Sequence, residues 1–219
     1  TLSAAIELAH QRSQNLVASY FVGWPDRHLV LFPWAPTRSL AEDQGARDQT
    51  EALQAVYRQE VVTRALPETN PLRQPYWTAP VVDTGGAGLV VSHAVPVYSA
   101  DELRGVVATD IRLSSLDRLL DTLPGAPWRA WIIDDRGHVL ADRQKPVATA
   151  EAVLATGAGA AAHTLVRAAE RLPAGVDPER LVRETEGQTR LLSLAGHRVV
   201  ALRVTGAPWV MVLAAPVWS

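Results

Sequence analysis

Six side chains between positions 73 and 110 have the chemistry to hold a small polar molecule. Arg73, Tyr76 and Trp77 fall within five positions of a polar, proline-marked stretch that runs from Pro67 to Pro80. A guanidinium presents a planar pair of donors that suits a carboxylate, and two aromatic rings can wall a pocket around its apolar part. Asp83 follows, and Asp110 interrupts the apolar run Val106-Val107-Ala108-Thr109-Asp110-Ile111. A carboxylate in such a strand needs a hydrogen-bonding partner or an opening onto a cavity, since burial without either is costly. Two readings are open: an internal bridge from Asp110 to Arg73 or to backbone that closes the fold, and a site in which Arg73 takes a ligand carboxylate while Asp110 takes an ammonium or hydroxyl. Strand alternation puts Val106, Ala108 and Asp110 on one face, and Val90, Ser92 and Ala94 on one face of the preceding strand. If those faces coincide, the small Ser92 and Ala94 leave room beside Asp110.

Catalytic patterns are missing. Ser92 and His93 are neighbours in a strand, so their side chains point to opposite faces and cannot act as nucleophile and base. No Gly-x-Ser-x-Gly elbow occurs, and none of the six histidines forms the His-Glu-x-x-His helix of zinc proteases. Gly85-Gly86-Ala87-Gly88 has no following Lys-Ser or Lys-Thr, and it precedes a strand where a phosphate loop would open a helix; it reads as a turn. Asp134-Asp135-Arg136-Gly137 is followed by Lys145 and Pro146 where a calcium loop needs a glutamate, and it too reads as a turn. The expectation is a binding protein with no catalytic residues, no metal and no cofactor.

Composition narrows the partners. Lys and Arg number 21 against 23 Asp and Glu, so the chain lacks the basic footprint that nucleic-acid binding requires. With no cysteine in 219 residues, disulfide scaffolds and thiolate metal sites are excluded. The length allows one large domain or two small ones, and 47% hydrophobic residues are enough to build an apolar core.

The elements that must position the six residues follow from periodicity. Leu2, Ile6, Ala9, Ser13 and Leu16 recur at helical spacing and predict an amphipathic first helix. Ser19 to Gly23 and His28 to Phe32 predict a hairpin around Trp24-Pro25-Asp26-Arg27, and residues Ala41 to Arg64 return to helical spacing. Leu89 to Tyr98 and Leu103 to Ile111 are β-branched runs that predict neighbouring antiparallel strands, followed by a helix from Leu113 to Leu123. A second hairpin is predicted at Trp128 to Ile133 and His138 to Ala141. An alanine-rich helical region, Val147 to Arg171, comes next, then strands at Leu191 to Leu194, Arg198 to Val204 and Trp209 to Leu213. Asp26-Arg27-His28-Leu29-Val30-Leu31 echoes Asp135-Arg136-Gly137-His138-Val139-Leu140, which points to tandem copies of one α+β unit.

Tyr76-Trp77-Thr78-Ala79-Pro80, the Asp83-Thr84-Gly85-Gly86 turn, Ser92 to Tyr98 and Gly105 to Leu113 resemble the membrane-distal half of a double Cache sensor domain, an extracytoplasmic relative of PAS domains. The resemblance implies an α+β fold. A long N-terminal helix (residues 1–20) would continue from a membrane span, and two tandem PAS-like modules (21–124 and 125–219) would each be an antiparallel sheet flanked by helices. It implies a ligand-sensing segment on the periplasmic side of a bacterial receptor, with pairing through the first helix and an output drawn from histidine kinases, diguanylate cyclases, phosphatases and chemotaxis transducers, of which the histidine kinase or diguanylate cyclase type is expected. A stand-alone periplasmic solute-binding or interaction protein is the alternative. Relatives that bind amino acids carry Arg-x-Trp-Tyr and two later aspartates. Here Arg73-Gln74-Pro75-Tyr76-Trp77 reverses the aromatics one position later, while Asp110 matches the last aspartate, so an amino acid and a small organic acid are both candidate ligands.

Overall fold

The computed structural model describes residues 1–13, 15–35, 46–83, 87–123, 125–145, 168–185, 189–194 and 196–217. Contacts group the described residues into two units, 1–112 and 113–217.

In the first unit, helix α1 (Leu2–Gln11) starts at Thr1, whose hydroxyl accepts from the Ala4 N–H, and it buries Ile6. The helix is shorter than the stripe to Leu16 implied. Asn15 adopts φ 71°, and from Leu16 the chain enters strand β1 (Leu16–Gly23). Tertiary pairing overrides the helical period here: β1 lies between β2 (Leu29–Phe32) and β6 (Glu102–Arg112), so its backbone groups are satisfied on both sides. The helical spacing before Arg64 resolves into α2 (Gln49–Arg58), capped by Asp48, and the short α3 (Glu60–Thr63). Gln59 between them is extended, with φ −72° and ψ 154°. The predicted residues 41–45 lie outside the described residues.

Strands β3 (Tyr76–Trp77) and β4 (Val81–Asp83) both pair with β5 (Gly88–Ser99), which pairs along its length with β6. Every pairing in this sheet is antiparallel, and the order is β2-β1-β6-β5-β3 with β4 also on β5. One face carries Tyr20, Val22, Ala94, Val106 and Ala108, packed under Tyr57, Val61, Val62 and Ala65. On the opposite face, Ser19 accepts or donates at 2.9 Å with Nδ1 of His10 from α1, whose ring lies 5.0 Å from that of Phe32.

The second unit opens with α4 (Leu113–Asp121), which contacts β7 (Arg129–Ile133) and β8 (Val139–Asp142) and buries Leu113 and Leu120. The predicted alanine-rich helix lies mostly outside the described residues, and its last part, Ala168–Glu170, is a single 3-10 turn. Helix α5 (Pro178–Glu184) was not foreseen, although Asp177 before Pro178 is a sound N-terminal signal, with Asp177 accepting from the Glu179 and Arg180 N–H groups. Strands β9 (Arg190–Leu194), β10 (His197–Arg203) and β11 (Val210–Pro216) complete a sheet of order β8-β7-β11-β10-β9. Its core joins Trp131, Val199, Ala201 and Val212 to Leu172 and Leu181.

Both sheets follow the same order of second, first, fifth, fourth and third strand, counting β3 and β4 together. The sequence echo falls at the same place in each, the turn and second strand of the opening hairpin. Among the described residues no helix is long and apolar enough to cross a membrane.

Candidate functional site

The ladder of the first sheet decides which of the six residues meet. Ser92 pairs with Asp110 and Ala94 with Ala108, so the two predicted faces coincide. Tyr20 stands opposite Ala108 on the other side of β6, and Tyr76 stands opposite Ala94 on the other side of β5. All these side chains therefore share the face beneath α2 and α3.

Asp110 is the centre of this cluster and is 9% exposed. Its Oδ1 accepts from the Ser92 hydroxyl at 2.6 Å and from the Tyr20 hydroxyl at 3.0 Å. Among the described residues no hydrogen bond reaches Oδ2. Burial pushes the Asp110 carboxyl up to about 6 in spite of those two donors, and the charge of Asp83 pushes in the same direction. Burial first, and then the charge of Asp110, holds the Tyr20 phenol well above its ordinary value, so it stays protonated and donates. Thr78 fixes Ser92 from behind: its N–H donates to Ser92 O at 2.9 Å, and its hydroxyl accepts from Ser92 N at 3.0 Å. Tyr76 is buried and donates to the Val61 carbonyl at 2.6 Å, which ties β3 to α3.

Above Tyr76, the Arg64 guanidinium carbon lies 5.3 Å from the ring centroid. The same guanidinium donates to Glu60 at 3.2 Å and to the Trp77 carbonyl at 3.0 Å. Asp83 ends β4 beside the cluster and accepts from the Ala87 N–H at 2.7 Å.

Two predicted residues stand elsewhere. Trp77 pairs with His93, and their rings meet at 4.9 Å on the opposite face of the sheet. Arg73 lies at the β5–β6 turn, where it donates to Ala100 O at 3.1 Å and Asp101 Oδ1 at 2.8 Å and covers the Tyr98 ring at 4.4 Å. That turn is separated from the Ser92–Asp110 rung by roughly 25 Å of ladder. An internal Arg73–Asp110 bridge does not form. Tyr20, Thr78, Arg64 and Glu60 were missed, and Tyr20 had the one legible signal: a phenol in an apolar strand poses the same partner problem as Asp110.

Ser92 donates to a carboxylate and the His93 ring lies against Trp77 on the opposite face, so the two do not form a nucleophile–base pair. Among the described residues no cluster of three His, Cys, Asp or Glu could hold a metal ion. What it offers is a buried acceptor with hydroxyls and aromatic rings around it.

Residues 37–118, a little over a third of the chain, match the family model of the methyl-accepting chemotaxis protein-like, first PDC sensor domain. Over its full length the chain shares its fold with ligand-binding domains of solved chemoreceptors. The ligand-binding domain of the Pseudomonas aeruginosa amino acid chemoreceptor PctC, in complex with GABA, is 18% identical with a TM-score of 0.54, and the match covers 98% of this chain and 87% of that one. The ligand-binding domain of the Pseudomonas fluorescens chemoreceptor CtaA, in complex with L-isoleucine, is 15% identical with a TM-score of 0.54, covering 99% and 76%. That of the Campylobacter jejuni chemoreceptor Tlp3, in complex with L-valine, is 11% identical with a TM-score of 0.54, covering 99% and 72%. No curated protein matches the sequence. The structural likeness thus extends over both units, while the family match is confined to residues 37–118, which include Asp110.

Proposed function

We propose that the first unit binds a small solute through a cationic nitrogen at Asp110, and that the chain is the extracytoplasmic ligand-sensing part of a membrane receptor. The observation that carries this reading is the one-sided satisfaction of Asp110: Tyr20 and Ser92 both donate to Oδ1. Oδ2 remains as an acceptor in a buried setting, where a charge-assisted bond to an ammonium is strong. The GABA, L-isoleucine and L-valine held by the three structural neighbours each carry an ammonium group, which supports the same reading.

The wider receptor belongs to this proposal. The neighbours are chemoreceptor domains, which favours a chemotaxis-type output over the histidine kinase or diguanylate cyclase expected from the sequence. Pairing through α1 is supported by Leu2 and Leu8, which are exposed while Ile6 packs inward.

The test is a thermal-shift panel of small ammonium compounds, amino acids and simple amines, on the 219-residue chain near pH 7.5. At least one compound is expected to raise Tm. Asp110→Asn should abolish that rise, and Arg73→Ala should leave it intact, because Arg73 is committed to Ala100, Asp101 and Tyr98. A rise that survives in Asp110→Asn, or a panel without any rise, defeats the proposal.

A further inference from the structure

We infer that the second unit holds a site of its own for a small organic carboxylate, on the core face of its sheet between Arg190, Arg203 and Trp131. The inference stands apart from the Asp110 site and uses none of its residues.

Two side-chain donors in this unit are buried without a hydrogen-bond acceptor: Nη1 of Arg203 and Nε1 of Trp131. Leaving a donor in that state is costly, and more so for a charged one. Register puts both on one face. Arg203 pairs with Val210, while Ala201, two positions earlier on β10, pairs with Val212, which pairs in turn with Trp131. Val210, Ala201, Val212 and Trp131 all belong to the core of this sheet. Ladder spacing separates the Arg203 and Trp131 backbones by roughly 12 Å, with the short side chains of Ala201 and Val212 between them.

Arg190 joins them. It stands opposite Ala201 on β9, which makes it a diagonal neighbour of Arg203 on the same face, at about 7–8 Å. Its Nε donates to the Glu184 carbonyl at 2.7 Å, an uncharged partner. Like charges so placed repel unless an anion lies against them. Asp142, opposite Trp131 on β8, is already matched by Arg171 at 2.9 Å and by the N–H groups of Gln144 and Lys145. A further guanidinium, that of Arg129, lies 4.7 Å from the centre of the Trp131 ring. A carboxylate supplies what this face lacks: negative charge for the arginines and an acceptor oxygen for the indole N–H. The indole and the floor of Ala201 and Val212 suit a hydrocarbon body, which favours an organic acid over an inorganic oxyanion. Arg190 and Arg203 are both half-buried, so the site meets solvent at the β9 edge of the sheet.

Calorimetric titration of the 219-residue chain with sodium acetate, pyruvate and succinate tests the site, with ionic strength held constant by sodium chloride. At least one of the three acids is expected to bind. Arg203→Met keeps most of the side chain and removes its charge, and it should weaken that binding at least about tenfold. Without ligand, the same variant should melt about 2–6 °C above the wild type, because an unmatched buried donor has been removed. Asp110→Asn should bind the acid as the wild type does; loss of binding there would place the acid in the first unit and overturn the proposal. Sulfate that binds as tightly as the acids overturns it too, by marking an unselective oxyanion site. So does silence from all three acids, or binding that survives Arg203→Met. A ligand-free Arg203→Met chain that melts no higher than the wild type also overturns it, by showing that Arg203 is already satisfied within the fold.

Discussion

Asp110 places a titrating group inside an apolar face, and its energetics follow from the direction of its shift. Its carboxyl is raised from 3.8 to about 6, chiefly by burial, so the native state holds the proton more tightly than the unfolded chain. The stability this group contributes is therefore complete below about pH 4 and is lost as pH rises through about 6. Relative to Asp110→Asn, denaturation midpoints of the wild type should lose up to about 3 kcal/mol between pH 4 and pH 7. A flat difference across that range would show that Asp110 is better solvated than its burial implies. Ligand binding should run the other way, since an ammonium favours the ionised carboxylate: amine affinity is expected to fall by as much as about tenfold per unit below pH 6. At this scale the sequence was informative about Asp110 and Ser92, because an aspartate in an apolar strand demands explanation by itself. It was misleading about Arg73, whose positive φ of 54° and pairing with Asp101 depend on where a turn 27 residues later comes to lie.

Strand β6 is the element that positions the site, because it pairs with β1 on one side and β5 on the other. Its register is pinned where Gly105 faces Gly23 and Val97. A Cβ at Gly105 would run into the Val22 carbonyl and the Phe21 ring, neither of which can move without shifting β1. Gly105→Ala is expected to cost about 1–3 kcal/mol, seen as a lower urea midpoint with an unchanged slope. It should also weaken amine binding, since Tyr20 is carried by the same displaced strand. Normal stability in that variant would mean that β1 yields easily there. The strands of this module were legible because β-branched runs with turn residues between them have few other uses. The end of α1 was not, since Leu16 continues a helical stripe while its backbone is claimed by pairing with Ile111.

At the scale of the whole molecule, two units each carry a core of their own, and the sheets share one strand order. In the second unit Asp142, 1% exposed, accepts from Arg171 at 2.9 Å. Removing its charge by Asp142→Asn leaves a largely buried guanidinium unpaired and should cost about 3 kcal/mol. Calorimetry of a two-unit chain is expected to show more than one transition. A bound ammonium compound should raise one of them, and Asp142→Asn should lower the other. If a single transition responds to both perturbations, the units unfold as one.

The sequence alone determined the α+β class, the tandem repeat, the main strand pairs and the unusual status of Asp110, because hydrophobic period and the cost of a buried charge act locally. Tertiary structure decided which groups reach that charge. Tyr20 comes from 90 residues away to donate to Asp110. Trp77 is sent to the opposite face by the two-residue period of β3, and Arg73 is drawn to Asp101 at the far end of the ladder. Composition and spacing supplied the right kinds of residue for a ligand site. Only register and side-chain direction could show that the Asp110 carboxylate meets Tyr20 and Ser92 while the Arg73 guanidinium expected to accompany it lies at the far turn.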